Sequence, residues 1–187
     1  MGGECCGECG GGAEDVNKKE VRKLYEQFRD KNYPELAEVE PSDVSDMQSK
    51  GGMVLVDVRP EEERSISMIP GAVRKEDFEK EIDAYKDKVV VTYCTIGYRS
   101  GLFAKKMCAQ GMDARNLKGS ILGWTHEGLP VEDPASGKQA KRVHVNTQKF
   151  ALAPSDFECV WFGPVKSATG LIGFAMNKLS SVFRGQR

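Results

Sequence analysis

An open parallel α/β sheet is the fold this sequence predicts. Two apolar, β-branched runs, Met53–Val58 and Val89–Tyr93, are nearly continuous rather than alternating. Such runs suit parallel strands covered on both faces. Segments of helical period alternate with them along the chain, which is the order of βα units, with right-handed crossovers expected. A third strand-like stretch, Asp113–Leu117, follows the next helical segment.

The elements follow in order. Met1–Ala13 is rich in Gly and Cys and has too little apolar surface to pack a core. From Asp15 to Asp30, Val21, Leu24, Tyr25 and Phe28 fall at i, i+3, i+4 and i+7, which predicts an amphipathic helix docked on the domain. Tyr33-Pro34 ends it. Ser42–Ser49 is read as a short helix with Ser42 as N-cap and Gly51-Gly52 beyond its end. Lys75–Lys86 is read as a polar helix with Phe78, Ile82 and Tyr85 inward, and Ser100–Gln110 as a helix carrying Leu102, Phe103, Lys106 and Met107, with Gly111 as its C-cap. Ser120–Glu127 closes the series. Near the end, Ser167–Arg184 places Leu171, Ile172, Ala175, Leu179 and Phe183 on one helical face beside Lys166, Lys178 and Arg184. That predicts a basic amphipathic segment. It packs back on the sheet or makes peripheral contact with an anionic membrane.

The 187 residues suit one domain of ordinary size with tails. Net charge is -1, so nothing overall points to nucleic acid. Charge is uneven: residues 1–40 hold ten acidic and six basic side chains (net -4), and residues 138–187 hold two acidic and eight basic (net +6). Six Cys are present, with Cys5, Cys6 and Cys9 crowded at the start. They make no disulfide framework, so an intracellular, reducing and cytoplasmic setting is expected. No signal-like opening or membrane-length apolar run is seen.

The most informative segment is Tyr93-Cys94-Thr95-Ile96-Gly97-Tyr98-Arg99-Ser100. Cys94 stands where a buried strand ends and a short loop feeds a helix. Such a loop can aim several backbone N–H groups at one sulfur, the helix dipole adds positive potential, and Arg99 adds a fixed charge. Two readings of Cys94 follow: a thiolate nucleophile, or a buried, inert thiol at a strand end.

The wider pattern resembles the single-domain rhodanese sulfurtransferases. Cys94-x-x-Gly97-x-Arg99-Ser100 is similar to their active-site loop. Leu55-Val56-Asp57-Val58-Arg59 with Glu61-Glu62-Glu63 resembles their first strand and acidic turn, and Ile69-Pro70-Gly71-Ala72 a further family segment. Asn116–Trp124 and Gly128-Leu129-Pro130-Val131 resemble the closing strand, helix and exit. Met68 stands where the family often has a His. The resemblance covers roughly residues 39–133, and implies a rhodanese-like parallel sheet with helices on both faces, flanked by extensions at 1–38 and 134–187. It implies a sulfurtransferase in which Cys94 takes sulfane sulfur from a donor such as thiosulfate and passes it to cyanide, a small thiol or a protein thiol. Thr95, Ile96, Gly97, Tyr98, Arg99 and Ser100 would form the anion-binding loop. Gly97 would permit a positive φ, and Arg99 would attract an anionic donor or hold loop carbonyls. No cofactor is implied. Rival readings on the same fold are a persulfide carrier or redox-sensing module, a non-enzymatic interaction module, and a phosphatase or arsenate reductase. The last carries five residues between Cys and Arg, whereas four separate Cys94 from Arg99.

Asp57 and Arg59 lie at or just past a strand end, where ligands of open α/β sheets bind. Asp57 is read as a loop cap or a partner of an Arg, and Arg59 as a partner of the Glu61–Glu63 turn. His126 and His144 show no metal-ligand spacing, so no metal site is expected. The opening Met1-Gly2-Gly3-Glu4-Cys5-Cys6 partly resembles a myristoylation signal, with Gly2 as the acylated residue and Cys5 and Cys6 as palmitoylation sites, or it is a plain Cys-bearing tail.

Overall fold

A computed structural model describes residues 15–166 and 172–178. The elements are α1 (Val16–Asn32), β1 (Glu38–Val39), α2 (Pro41–Lys50), β2 (Met53–Asp57), α3 (Glu61–Arg64), β3 (Val73–Arg74), α4 (Lys75–Lys80), β4 (Val89–Tyr93), α5 (Tyr98–Ala109), β5 (Ala114–Leu117), α6 (Ser120–His126), β6 (Val131–Glu132), β7 (Gln139–Ala140), β8 (Arg142–His144), β9 (Glu158–Lys166) and β10 (Ile172–Lys178).

The main sheet has the order β1-β5-β4-β2-β3, and every pairing in it is parallel. The apolar run of β4 therefore sits at its centre, flanked by β2. Alternation along these strands feeds two cores. Leu55, Val91 and Tyr93 pack with Val21 of α1, Val44 of α2 and Ile121 and Leu122 of α6. Val54, Val56 and Val90 pack with Phe78 of α4 and Phe103, Ala104 and Met107 of α5. Successive strand residues point to opposite faces, so α1, α2 and α6 cover one face and α4 and α5 the other.

Several boundaries differ from the sequence reading. The second helix starts at Pro41, with Glu40 rather than Ser42 at the N-cap and no side-chain cap bond. Pro is well placed there because its missing N–H is one the helix would leave unpaired anyway. The expected helix over 75–86 stops at Lys80 and resumes as a tighter 3-10 turn, Ile82–Tyr85, which keeps Ile82 and Tyr85 against the core. Helix α5 begins at Tyr98, so its first turn belongs to the Cys94 loop.

The larger correction lies after residue 133. The short strands β6 and β7 pair with each other, and β8, β9 and β10 form a second sheet. Val143, Val145, Ala153 and Trp161 are buried in the same core as α1 and α6. The Ser67 hydroxyl donates to the Arg142 carbonyl at 2.8 Å, stitching the second sheet to the first domain. Within the expected amphipathic helix, Ile172–Lys178 is instead a strand, antiparallel to β9 with Ile172 opposite Lys166. Gly170 and Gly173 disfavour a helix there, and Ile172, Phe174 and Met176 recur at every second residue, the period of a strand. The rest of that segment, and Gly2, Cys5 and Cys6, lie outside the described residues. No helix among the described residues is long and apolar enough to cross a membrane.

Candidate active site

The central strand ends at Tyr93, and the loop Cys94–Gly97 leads straight into α5. Gly97 has φ of 117°, and a Cβ built on it would come within 2.4 Å of the Tyr25 ring. Both the backbone conformation and the space therefore require glycine. The Gly97 carbonyl accepts from Tyr33 Oη at 3.0 Å, Asn116 Nδ2 at 3.1 Å and the Gly101 N–H at 2.8 Å. Those donors turn the carbonyl away from the sulfur. The Gly97 N–H then points at Cys94 Sγ, 3.2 Å away.

Around the sulfur stand Ser100 Oγ at 3.5 Å and Ser120 Oγ at 4.0 Å. Ser120 also accepts the Cys94 N–H at 3.1 Å, and it does so from a backbone at φ 52°, a rare conformation for a non-glycine residue. Cys94 is only 2% exposed. That burial would push its thiol up. The Arg99 charge, the Ser100 hydroxyl and N–H, and the Gly97 N–H outweigh it, and the thiol lies below its ordinary value.

Arg99 holds the loop, through side chains rather than loop carbonyls. Its guanidinium closes bidentately on Glu63, at 2.7 Å to each carboxylate oxygen, and reaches Thr95 Oγ1 at 3.1 Å. The guanidinium thus anchors α5 and the loop to α3, while its charge still acts on the sulfur. Glu63 is itself buried, which would raise its carboxyl. The His144 ring and Arg99 reverse this and bring it down to about 2. His144 Nδ1 lies 3.5 Å from Glu63 Oε2, close enough for attraction. Neither ring nitrogen has a hydrogen-bond partner among the described residues.

Arg59 is also corrected. It pairs with Asp57, through Nε at 2.9 Å and Nη2 at 2.6 Å, and donates to the Ser67 carbonyl at 2.7 Å. Both side chains are fully buried, and neither lines the cavity in front of Cys94. Burial would lower the Arg59 guanidinium, but Asp57 outweighs it and holds the charge on. The pair fixes the turn after β2, as the Asp57 reading anticipated. Of the other loop residues, Ile96 is buried in the core, and Tyr98 is half-exposed with its ring 5.3 Å from that of Phe28.

A cavity of about 260 Å³ opens onto Cys94, walled by Phe28, Ile96, Tyr98, Phe150, Thr95, Arg99 and Asn146. Sequence reasoning missed several of these functional neighbours. Tyr33, Asn116 and Ser120 hold the loop, and Phe28, Asn146 and Phe150 shape its mouth. Phe28 carried a signal, as a member of the apolar stripe of α1. Phe150 carried none.

The model of the Rhodanese-like domain family matches residues 40–127. The chain is 36% identical over 81 residues to YtwF of Bacillus subtilis, a protein named provisionally as a sulfurtransferase; the match spans 42% of this chain and 79% of that one. It is 35% identical over 86 residues to a protein of Allochromatium vinosum named sulfurtransferase, across 44% of this chain and 80% of that one. This chain belongs to the rhodanese-like family. Among solved structures, a thiosulfate sulfurtransferase from Pseudomonas aeruginosa is similar at 20% identity and a TM-score of 0.49, over 54% of this chain and 20% of that one. The rhodanese-like match contains the Cys94 loop, Glu63, Asn116 and Ser120. It leaves out Tyr25, Phe28, Tyr33, His144, Asn146 and Phe150, all of which surround the loop or its partners.

Proposed function

We propose that this protein is a sulfurtransferase that carries sulfane sulfur as a persulfide on Cys94. The observation that carries the reading is the sulfur's setting: a buried thiol met by the Gly97 N–H and Ser100 hydroxyl, beside the Arg99 charge, with its ordinary acidity increased. A thiolate there attacks the outer sulfur of a donor such as thiosulfate. The bond between sulfane and sulfonyl sulfur breaks, sulfite leaves with the electron pair, and Cys94–S–S⁻ remains. The loop N–H groups that meet Sγ also serve the charge on the outer sulfur, because that atom lies only one bond further into the cavity. A thiophilic acceptor, cyanide or a thiol, then attacks the outer sulfur and returns the Cys94 thiolate.

One observation favours this over phosphoryl chemistry. A phosphatase loop needs its Arg to grip phosphate oxygens, and here the guanidinium fork is filled by the Glu63 carboxylate. The test is intact mass after incubation with excess thiosulfate. One added sulfur atom, absent in Cys94→Ser, is expected; an unchanged mass, or an aryl phosphatase rate dependent on Cys94, overturns the reading.

A further inference from the structure

Three of the residues that line the cavity over Cys94, Phe28, Asn146 and Phe150, come from chain outside the family match. Phe28 comes from α1, and Phe150 from the segment between β8 and β9; both lie beyond residues 40–127. With Tyr98 they give the cavity in front of Cys94 three aromatic rings. Among the described residues lining this cavity Arg99 is the one cation, and both arms of its guanidinium fork are held by Glu63 at 2.7 Å. The fork is therefore closed to the oxygens of an anionic donor, and its charge is shared between the Glu63 carboxylate and the thiolate. A dianion entering such a space loses hydration and finds, among the described residues lining it, no free guanidinium fork to bond its oxygens. An apolar group gains by leaving water.

We infer that this site takes its sulfur from an organic sulfane-sulfur carrier, one with an apolar body and at most one negative charge, in preference to inorganic thiosulfate. The inference rests on the Cys94 persulfide reading and names the donor class for it. Phe28 and Phe150 are then specificity-determining residues contributed by the two extensions.

The test uses a matched pair of donors, benzenethiosulfonate and thiosulfate, with cyanide as acceptor and the full chain as enzyme. In both cases the Cys94 thiolate bonds to the sulfane sulfur and its bond to the sulfonyl sulfur breaks. Benzenesulfinate or sulfite leaves with the electron pair, and a persulfide anion remains. The donors differ by a phenyl ring in place of an anionic oxygen. Each kcat/KM is divided by that donor's uncatalysed rate with cyanide, which removes leaving-group chemistry. The corrected ratio is expected to favour benzenethiosulfonate by roughly tenfold or more. Phe28→Ala and Phe150→Ala should each lower that ratio by about threefold or more. A ratio measured on one preparation does not depend on how much of it is folded. A corrected preference for thiosulfate, or a ratio that neither variant moves, would overturn the inference while leaving the persulfide reading intact. Absence of a persulfide mass from both donors would bring down the persulfide reading, and this inference with it.

Discussion

Cys94 is buried, and Cys159 is partly buried against the core that α1 and α6 cover. Cys94 ends the central parallel strand at the mouth of α5. Cys159 lies inside β9 of the second sheet. Burial pushes each thiol up. At Cys159 burial prevails, a single contact with the Ala153 backbone does not offset it, and the thiol stays above its ordinary value. At Cys94 a charge, a hydroxyl and two N–H groups reverse the sign. The difference teaches that burial by itself makes a cysteine inert. What lowers a thiol instead is the end of a parallel strand, where the loop N–H groups and the next helix face the sulfur.

The largest effect that tests this contrast is removal of each sulfur. Cys94→Ser should lower sulfur transfer by about a thousandfold or more, since the covalent intermediate is lost. Cys159→Ser and Cys108→Ser should keep most of it. Transfer to cyanide, followed as thiocyanate, checks all three. Appreciable activity in Cys94→Ser would erase the distinction between the two thiols.

Next comes the loop that creates the distinction. Gly97→Ala places a Cβ within 2.4 Å of Tyr25 at a φ of 117°. Either the loop turns, and its N–H leaves the sulfur, or α1 is displaced. Activity should fall by roughly tenfold to a hundredfold, and stability by about 1–3 kcal/mol. Thermal melting and transfer rates measured together separate the two routes: a loss of rate with little loss of melting temperature marks a turned loop.

The strands β2 and β4 and the helix at Ser120 were legible because each signal is local: a β-branched run, or a period over one or two turns. The Cys94 loop was legible because a cysteine, a turn glycine and a cation lie within a few residues. Arg99's true partner was not, because Glu63 is 36 residues away and stands beside two other glutamates with nothing local to single it out. Strands β6 to β9 were hidden for a related reason. β6, β7 and β8 are only two or three residues long, β9 is interrupted by Gly163-Pro164, and β8 finds its partner only after a long connection. The C-terminal segment was misread by period: apolar residues dense enough to satisfy a 3.6 repeat also satisfy a repeat of two, and pairing with β9 decides between them.

Acid sensitivity sharpens the comparison through Glu63. Folding brings its carboxyl from an ordinary 4.5 to about 2, so the folded state binds that proton less readily than the unfolded chain. The resulting stabilisation is full above about pH 4.5 and is lost as pH falls towards about 2. It amounts to about 3 kcal/mol. Glu63→Gln should flatten the dependence of unfolding free energy on pH across that window. Urea titrations at several pH values measure it, and a slope equal to that of the parent chain would remove Glu63 from the account.

The smallest effect is the most selective. Arg99 is the charge that most favours the Cys94 thiolate, and it is absent from the causes acting on Cys159. In Arg99→Gln the Cys94 thiol should therefore move up, while Cys159 stays where it is. Alkylation rates read residue by residue by mass spectrometry, across a range of pH, give both profiles in one experiment. In the parent chain, reactivity at Cys94 should be lost as pH falls through a value below that of an ordinary thiol. Reactivity at Cys159 should be lost already above it. The substitution should shift the first profile towards the second by a modest fraction of their separation, because the Gly97 and Ser100 donors remain. If both profiles move together, the variant has loosened the fold and the two thiols are not set apart by Arg99. If neither moves, the Glu63 pairing has already cancelled the guanidinium charge at the sulfur, and the loop donors alone distinguish Cys94 from Cys159.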